Sequence, residues 1–385
     1  MPDPEPSESF VVTPYEVKGR IDYARLREQF GTQELTAELR AKLLHVAGGE
    51  LHPLIARGIY YSHRDLAPLL DGFSNGKPFF LYSGRGPSGP LHTSHLVSFD
   101  LCRWLQKRLG VPMYIQITDD EKFWARAGLT PEETAKWGME NLYDILALGF
   151  DPKRTHVFFD TKSIRAMYPL AVRVAQKVTY STVKAVFGFQ PSTNIGLVFY
   201  TALQTVPAFW PSWAEHRAVP CLIPCGIDQD PHFRVTRDLA EGLGYPKPAL
   251  LHSQMVPGLL GDAAMSTTGN AADNALFLND PPKTVERKLK NAFTGGRATV
   301  EEQRRLGATP EICSIWALWR TRFAESDQKF AEVTQGCRSG ALLCGECKGQ
   351  LIERVHAFYR QHAEARDAVK GWAESTIITE PPKSA

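Results

Sequence analysis

At 385 residues the chain is longer than one simple hydrophobic core usually organises, and two domains are expected. Its 43% hydrophobic and 22% charged residues are those of an ordinary globular protein, which excludes collagen-like, coiled-coil and disulfide-scaffold chains. Lys and Arg number 44 against 42 Asp and Glu, so a net charge of +2 allows a local basic patch but excludes a polybasic binder.

Residues 1–17 carry Asp3, Glu5, Glu8 and Glu16 and no Lys or Arg. An organellar presequence would be basic and a secretory signal would hold an apolar core, so a cytoplasmic protein is expected, with service to an organelle left open. Seven cysteines, an odd number without regular spacing, agree with a reducing compartment. The first dozen residues are Pro- and acid-rich and expected to be loose. Residues 1–75 as a whole read as a mainly helical extension.

From Phe79 the pattern changes. Phe79-Phe80-Leu81-Tyr82 reads as a strand and ends in Ser83-Gly84-Arg85-Gly86-Pro87-Ser88-Gly89. Val97, Leu101, Trp104 and Leu105 then share one helical face until Gly110 and Pro112 stop it. A second strand spans Met113 to Thr118 and is capped by Asp119-Asp120-Glu121. Strand, Gly-rich turn, helix and strand make a parallel βαβ unit, whose ligands collect at the C-terminal strand ends. Ala185 to Ala214 carries no charge, but Pro191, Pro207, Pro211, Gln190, Asn194 and Gln204 make it an internal wall, not a membrane span. A second strand-to-helix passage starts at Cys221, breaks into Gly226-Ile227-Asp228-Gln229-Asp230 and continues as a helix over 233–243. Beyond about residue 275 helical signals dominate. Between Pro281 and Arg305 seven Lys or Arg face three Glu, so positive charge is concentrated there.

Gly84 to Gly89 matches G-x-G-x-x-G, which raises a dinucleotide-binding dehydrogenase as a rival. Against it, the acid after the next strand, Asp119, stands thirty-five residues past Gly84, where about 20 is expected. His92 and His95, at i and i+3 on a helix start, suit nucleotide phosphates, and equally suit two polar residues with no ligand. The acids after each strand could hold an ammonium, a ribose or Mg²⁺, or be solvated turns. Tyr82, Gln116 and Gln204, near Phe199, Tyr200, Phe209 and Trp210, suit a flat ligand with one N–H donor, or a core with satisfied polar ends. Cys221/Cys225 and Cys344/Cys347 are lone pairs with no partner pair at structural-zinc spacing, so no metal site is expected.

Taken in order, RGIYYSHRD (57–65), PFFLYSGRGPSGPLHTSHL (78–96), IQITDDEK (115–122), CLIPCGIDQDPHFR (221–234), GYPKPALLHS (244–253), the MS within GDAAMSTT (261–268) and TGGRATVEEQR (294–304) resemble the class I aminoacyl-tRNA synthetases. The resemblance is to the tryptophanyl enzymes of eukaryotic type, over roughly residues 15 to 370. It implies an α/β fold with a Rossmann-type parallel-sheet catalytic domain at 76–272, an α-helical anticodon-binding domain at 273–365, a tail at 366–385, and a homodimer. It also implies that tryptophan and ATP, with Mg²⁺ as part of that substrate and no tightly bound cofactor, give tryptophanyl-adenylate and pyrophosphate, after which tryptophan passes to the 3′ end of tRNA(Trp). By this resemblance Tyr82 and Gln116 receive the indole N–H. Glu121, Gln204 and Gln229 hold the amino-acid head group, and Phe233 lines the site. Gly84, Arg85, Gly86, His92 and His95 contact ATP, Gly226 and Asp228 face the adenosine, and Met265 and Ser266 belong to the mobile loop. His92, His95 and Ser266 are the catalytic candidates, and Lys288 and Lys290 the tRNA contacts.

Two positions depart from the family's pattern. Ser94 stands where glycine lets backbone approach the nucleotide. The loop usually written Lys-Met-Ser-x-Ser is Ala264-Met265-Ser266-Thr267-Thr268, and Pro257 to Phe277 holds no Lys or Arg. A lysine meeting pyrophosphate charge is worth roughly 3–4 kcal/mol, so Arg85 or Lys122 is the replacement to look for. The alternative is a weakened paralogue that binds tRNA or tryptophan. A tyrosine-specific relative is a further rival, and it would want an acid where Gln116 is neutral.

Overall fold

The computed structural model describes residues 10–13, 17–19, 21–261, 264–265 and 271–382. Residues 1–9, expected to be loose, lie outside them. The main sheet has seven strands: β1 (Gln33–Glu34), β2 (Tyr60–Arg64), β3 (Phe80–Arg85), β4 (Met113–Ile117), β5 (Thr155–Phe159), β6 (Cys221–Gly226) and β7 (Ala249–Ser253). Their order is β1-β2-β7-β6-β3-β4-β5. The five strands β7-β6-β3-β4-β5 pair in parallel, and β2 joins β7 antiparallel. Phe80 to Ser83 and all of β4 are buried, because helices cover both faces of a parallel sheet and near-continuous apolar runs are stable there.

Helix α1 (Leu96–Leu109) carries the chain from β3 to β4. Val97, Leu101, Trp104 and Leu105 are buried as the periodicity predicts, and Gly110 ends the helix at φ 66°, a left-handed conformation that costs glycine no Cβ clash. From β3 the strands β4 and β5 continue to one side, whereas β6 and β7 lie on the other. Strand order therefore reverses between β3 and β6, and a crevice opens at their C-terminal ends.

The reading of residues 1–75 as mainly helical is corrected at Tyr60–Arg64, which is a strand. Its inward positions carry polar groups that disguise the alternation: Ser62 bonds His252 at 3.2 Å, and Arg64 pairs with Asp230 at 2.8 Å. The uncharged stretch is a wall in part. Helix α2 (Asp160–Lys177) and α3 (Ile195–Leu203) pack together, with Tyr200, Leu203, Val206, Phe209 and Trp210 buried in one apolar cluster. No helix among the described residues is long and apolar enough to cross a membrane.

The helices that follow are α4 (Asp230–Leu243), α5 (Pro282–Asn291), α6 (Asp327–Ser339) and α7 (Cys344–Lys370). The largest core cluster joins Leu81 and Ile115 of the sheet, Leu101 of α1, Leu289 of α5 and Val355 of α7. Lys288, expected to meet tRNA, is a correction. Only 4% of it is exposed, and its ammonium bonds the Ala275 carbonyl at 2.8 Å and Asp280 at 2.7 Å over the Phe277 ring. The charge lies on the helix face that the core claims, so it is already neutralised internally. Lys290, two positions on, is exposed and pairs with Glu286 at 2.6 Å.

Candidate active site

The C-terminal ends of β3, β4 and β6 frame a cavity of about 350 Å³. Gly84, Arg85, Gly86, His92, His95, Gln116, Glu121, Gln204, Gly226, Asp228, Gln229, Phe233 and Met265 line it together. Tyr82 sits immediately behind. Ser266 lies outside the described residues, and Lys288 and Lys290 are not in the cavity lining.

At one end a relay of side-chain bonds organises the wall. Tyr200 donates its hydroxyl to Gln204 Oε1, and Gln204 Nε2 donates to the Tyr82 oxygen at 2.9 Å. Tyr82 donates to Gln116 Oε1 at 2.5 Å, and Gln116 Nε2 donates to both oxygens of Asp160 at 2.9 Å. The carboxyl of Asp160 thus fixes which way the Gln116 amide points, leaving acceptor capacity on Gln116 Oε1 and the Tyr82 oxygen. Burial, then the Asp120 carboxylate, pushes Asp160 well above the usual carboxylate range, while burial raises Asp120 to about 6. Of the two, Asp160 is the one that burial and its neighbour push furthest toward the protonated form. The ring of Phe233 meets Tyr82 edge-on at 6.0 Å. Sequence reasoning missed Asp160 and the hydroxyl role of Tyr200. The available signal was position: Asp160 directly follows β5, as Asp119 follows shortly after β4.

The acids divide. Glu121 and Asp228 reach the cavity, whereas Asp119, Asp120 and Asp230 do not line it, which corrects the expectation for those three. Asp119 accepts from the Thr161 N–H and hydroxyl and so anchors the start of α2. Asp120 caps Glu121 N at 2.6 Å. Asp230 is fully buried, and bonds from His252 and Arg64 hold it at about 2 despite burial. Glu121 is 5% exposed and pairs with Lys122 at 2.9 Å. Gln229 donates to Asp228 at 2.6 Å, and a Cβ on Gly226 would press on that Asp228 carboxylate and move it.

The other end is rich in donors. Arg85 Nε donates to Asn141 at 3.0 Å and one terminal nitrogen faces His95 Nε2 at 2.9 Å, while the other terminal nitrogen is buried with no partner among the described residues. Burial lowers Arg85 only to about 10, so it remains a cation at neutral pH. The His92 and His95 rings stack at 3.5 Å. Burial first, then the Arg85 charge, pushes both well below 6.5, so both imidazoles are neutral. Ser94 lines the same cavity and its hydroxyl bonds His92 Nδ1 at 3.0 Å. Lys122 folds across Gly86, where a side chain would strike its stem. Met265 packs over Thr93, with Oγ1 to Sδ at 3.7 Å, and its N–H bonds the Val256 carbonyl at 3.1 Å.

This divided crevice on a class I-like sheet has counterparts among known proteins. A model of the tRNA synthetases class I (W and Y) matches residues 74–360. The chain belongs to that family. The membership overturns the dehydrogenase alternative raised by the Gly-rich turn. Among similar sequences, the tryptophan–tRNA ligase of Pyrobaculum calidifontis is 49% identical over 363 residues, 94% of this synthetase and 96% of that chain. That of Thermococcus onnurineus is 45% identical, covering 93% and 92%. Among solved structures, the tryptophanyl-tRNA synthetase of Aeropyrum pernix superposes with a TM-score of 0.84 at 33% identity over 94% of this chain and 97% of that one. The enzyme from Encephalitozoon cuniculi, bound to tryptophan, gives 0.85 at 30% identity over 93% and 98%.

Proposed function

We infer that this synthetase is a tryptophan–tRNA ligase, which activates tryptophan with ATP and passes it to the 3′ end of tRNA(Trp). The observation that carries the substrate is the relay from Tyr200 to Asp160, which leaves neutral acceptors for one flat N–H donor. A tyrosine hydroxyl would want an ionised acid beside it, and the wall offers the amide of Gln116. In this reading Tyr82 and Gln116 accept the indole N–H, and Phe233 closes the pocket. Glu121, Gln204 and Gln229 hold the ammonium and carboxylate of the head group.

In activation, a carboxylate oxygen of tryptophan bonds to the α-phosphorus of ATP as the bond to pyrophosphate breaks. Mg²⁺ enters with ATP as part of that substrate. Gly84 and Gly86 let the backbone approach the phosphates, and Gly226 and Asp228 face the adenosine. Neutral His92 and His95 supply directed polarity without carrying charge, and Arg85 meets the charge that grows on pyrophosphate. The unpartnered donor of Arg85 supports this role in a loop that holds no lysine, and Lys122 adds a second cation. Met265 covers the nucleotide from the loop. In transfer, a hydroxyl of the terminal ribose attacks the adenylate carbonyl and AMP leaves. Lys290, exposed on α5, is the tRNA contact retained from the basic stretch, and a homodimer accompanies the reading.

The test is tryptophan-dependent ATP–pyrophosphate exchange, followed by charging of tRNA(Trp), with tyrosine as control. Exchange with tryptophan alone is the expected outcome. Exchange with tyrosine at equal efficiency would end the specificity argument.

A further inference from the structure

Arg64 from RGIYYSHRD (57–65) and His252 from GYPKPALLHS (244–253) lie outside the crevice lining, yet both meet Asp230, the residue that follows Gln229 and opens α4. The Arg64 guanidinium grips the carboxylate with two parallel bonds, Nε to Oδ1 at 2.8 Å and a terminal nitrogen to Oδ2 at 2.9 Å. Its terminal nitrogens also donate to the Phe30 carbonyl at 2.5 Å and the Gly31 carbonyl at 3.1 Å, where the helix Tyr23–Phe30 ends. A cation therefore stands between the negative end of one helix and the acid that starts the next.

His252 Nε2 lies 3.1 Å from the same carboxylate, and its Nδ1 lies 3.2 Å from the Ser62 hydroxyl. Burial lowers its pKa below the ordinary 6.5, so the ring is neutral; it directs its one N–H at Asp230 and accepts from Ser62. Hydroxyl, imidazole and carboxylate in this order are also the parts of a nucleophilic relay. Ser62, His252 and Asp230 are fully buried and do not line the cavity, so no substrate reaches the hydroxyl. The arrangement holds a position instead of reacting.

What it holds is the turn before α4, whose Asp228 and Gln229 both line the crevice. Gln229 is bonded to Asp228 at 2.6 Å, so a tilt at the start of α4 moves both side chains together. Asp65 supplies a second fastening of opposite polarity, accepting from Arg237 at 2.6 Å farther along α4. Asp65 is 48% exposed at its side chain and Asp230 is fully buried. Breaking the inner pair thus leaves a buried charge uncompensated, whereas breaking the outer pair does not.

We propose that Arg64, supported by Ser62 and His252, is a positioning residue: by fixing Asp230 it sets where Gln229 meets the amino-acid head group. The inference rests on the head-group role given to Gln229 under the proposed function.

The experiment is pyrophosphate exchange with the full chain and the variants Arg64→Lys, Ser62→Ala and Asp65→Asn, each assayed below its own thermal midpoint. Tryptophan is varied as substrate, and 3-methylindole, which has the ring without the head group, as competitor. Lysine keeps a charge beside Asp230 but cannot make two parallel bonds. Arg64→Lys should lower kcat/KM for tryptophan by about 10- to 100-fold, with the inhibition constant of 3-methylindole within about twofold of the parent's. Ser62→Ala should show the same split with a smaller factor, and Asp65→Asn should move neither constant. If Arg64→Lys does not fold, Ser62→Ala decides: a loss confined to tryptophan supports the proposal, and no loss overturns it. Equal losses for tryptophan and 3-methylindole overturn it, because the whole pocket would then have loosened. So does an unchanged kcat/KM in folded Arg64→Lys, or the same loss in Asp65→Asn. A parent that does not exchange with tryptophan contradicts the proposed function itself, before any variant is made, and takes this inference with it.

Discussion

The two ends of the crevice are built on opposite terms. At the tryptophan end the polar relay is closed, running from Tyr200 through Gln204, Tyr82 and Gln116 to Asp160. At the end assigned above to the nucleotide, Arg85 keeps one buried nitrogen without a partner among the described residues, beside two imidazoles that cannot readily take up charge. A neutral ring is recognised by groups that are already satisfied, because an unpaired donor there would cost energy in every turnover. An anion is recognised by groups held in deficit until it arrives. In the proposed reading, the cationic charge that a loop without lysine lacks is supplied by Arg85 at the end of β3.

The largest effect tests that deficit. Arg85→Met should lower exchange by about two to three decades, roughly 3–4 kcal/mol, with tryptophan affinity nearly unchanged in equilibrium binding. An equal loss of tryptophan affinity would mean that the two ends are not separable. Next in size, Gln116→Leu leaves the indole N–H unpaired and should weaken tryptophan binding by about 1–3 kcal/mol. Asp160→Asn should weaken it too, because an amide in place of the carboxyl changes the bonds that set Gln116. Unchanged affinity in both would remove the relay from recognition.

Acid acts on the nucleotide end. The folded pKa values of His92 and His95 lie well below 6.5, and burial sets His52 at about 4 and His232 at about 3. The unfolded chain therefore binds the extra protons. Stability is full above pH 6.5 and falls as pH drops toward the folded values, by about 1.4 kcal/mol per ring per pH unit. Denaturant midpoints at pH 7.5 and 5.5 should show that loss, and equal midpoints would mean that the rings titrate normally. The smallest effect is a gain: Ala264→Lys should raise exchange by less than about tenfold if, as proposed, Arg85 already meets the charge. A gain of two decades would assign the deficit to the loop after all.

Much of this was legible in the residues. Phe80–Arg85, Leu96–Leu109 and Met113–Ile117 follow from apolar periodicity and Gly punctuation, which report local structure and burial directly. The cavity-lining residues followed because strand ends and Gly-rich turns advertise where ligands collect. Three things did not follow. Tyr60–Arg64 pairs through buried polar groups, so its pattern lacks the usual alternation. Lys288 sits in a basic run, yet its helix phase turns it into the core, where Asp280 neutralises it. The role of Asp160 depends on contacts between distant segments, which no local pattern encodes.

The most direct test of the account is exchange measured side by side for the parent chain and Arg85→Met, with tryptophan and with tyrosine, and tryptophan binding measured on the same preparations. The account predicts tryptophan-specific exchange in the parent, a drop of about two to three decades in the variant, and equal tryptophan affinity in both. Exchange that survives unchanged in Arg85→Met would contradict it, because the cation meeting pyrophosphate would then lie elsewhere.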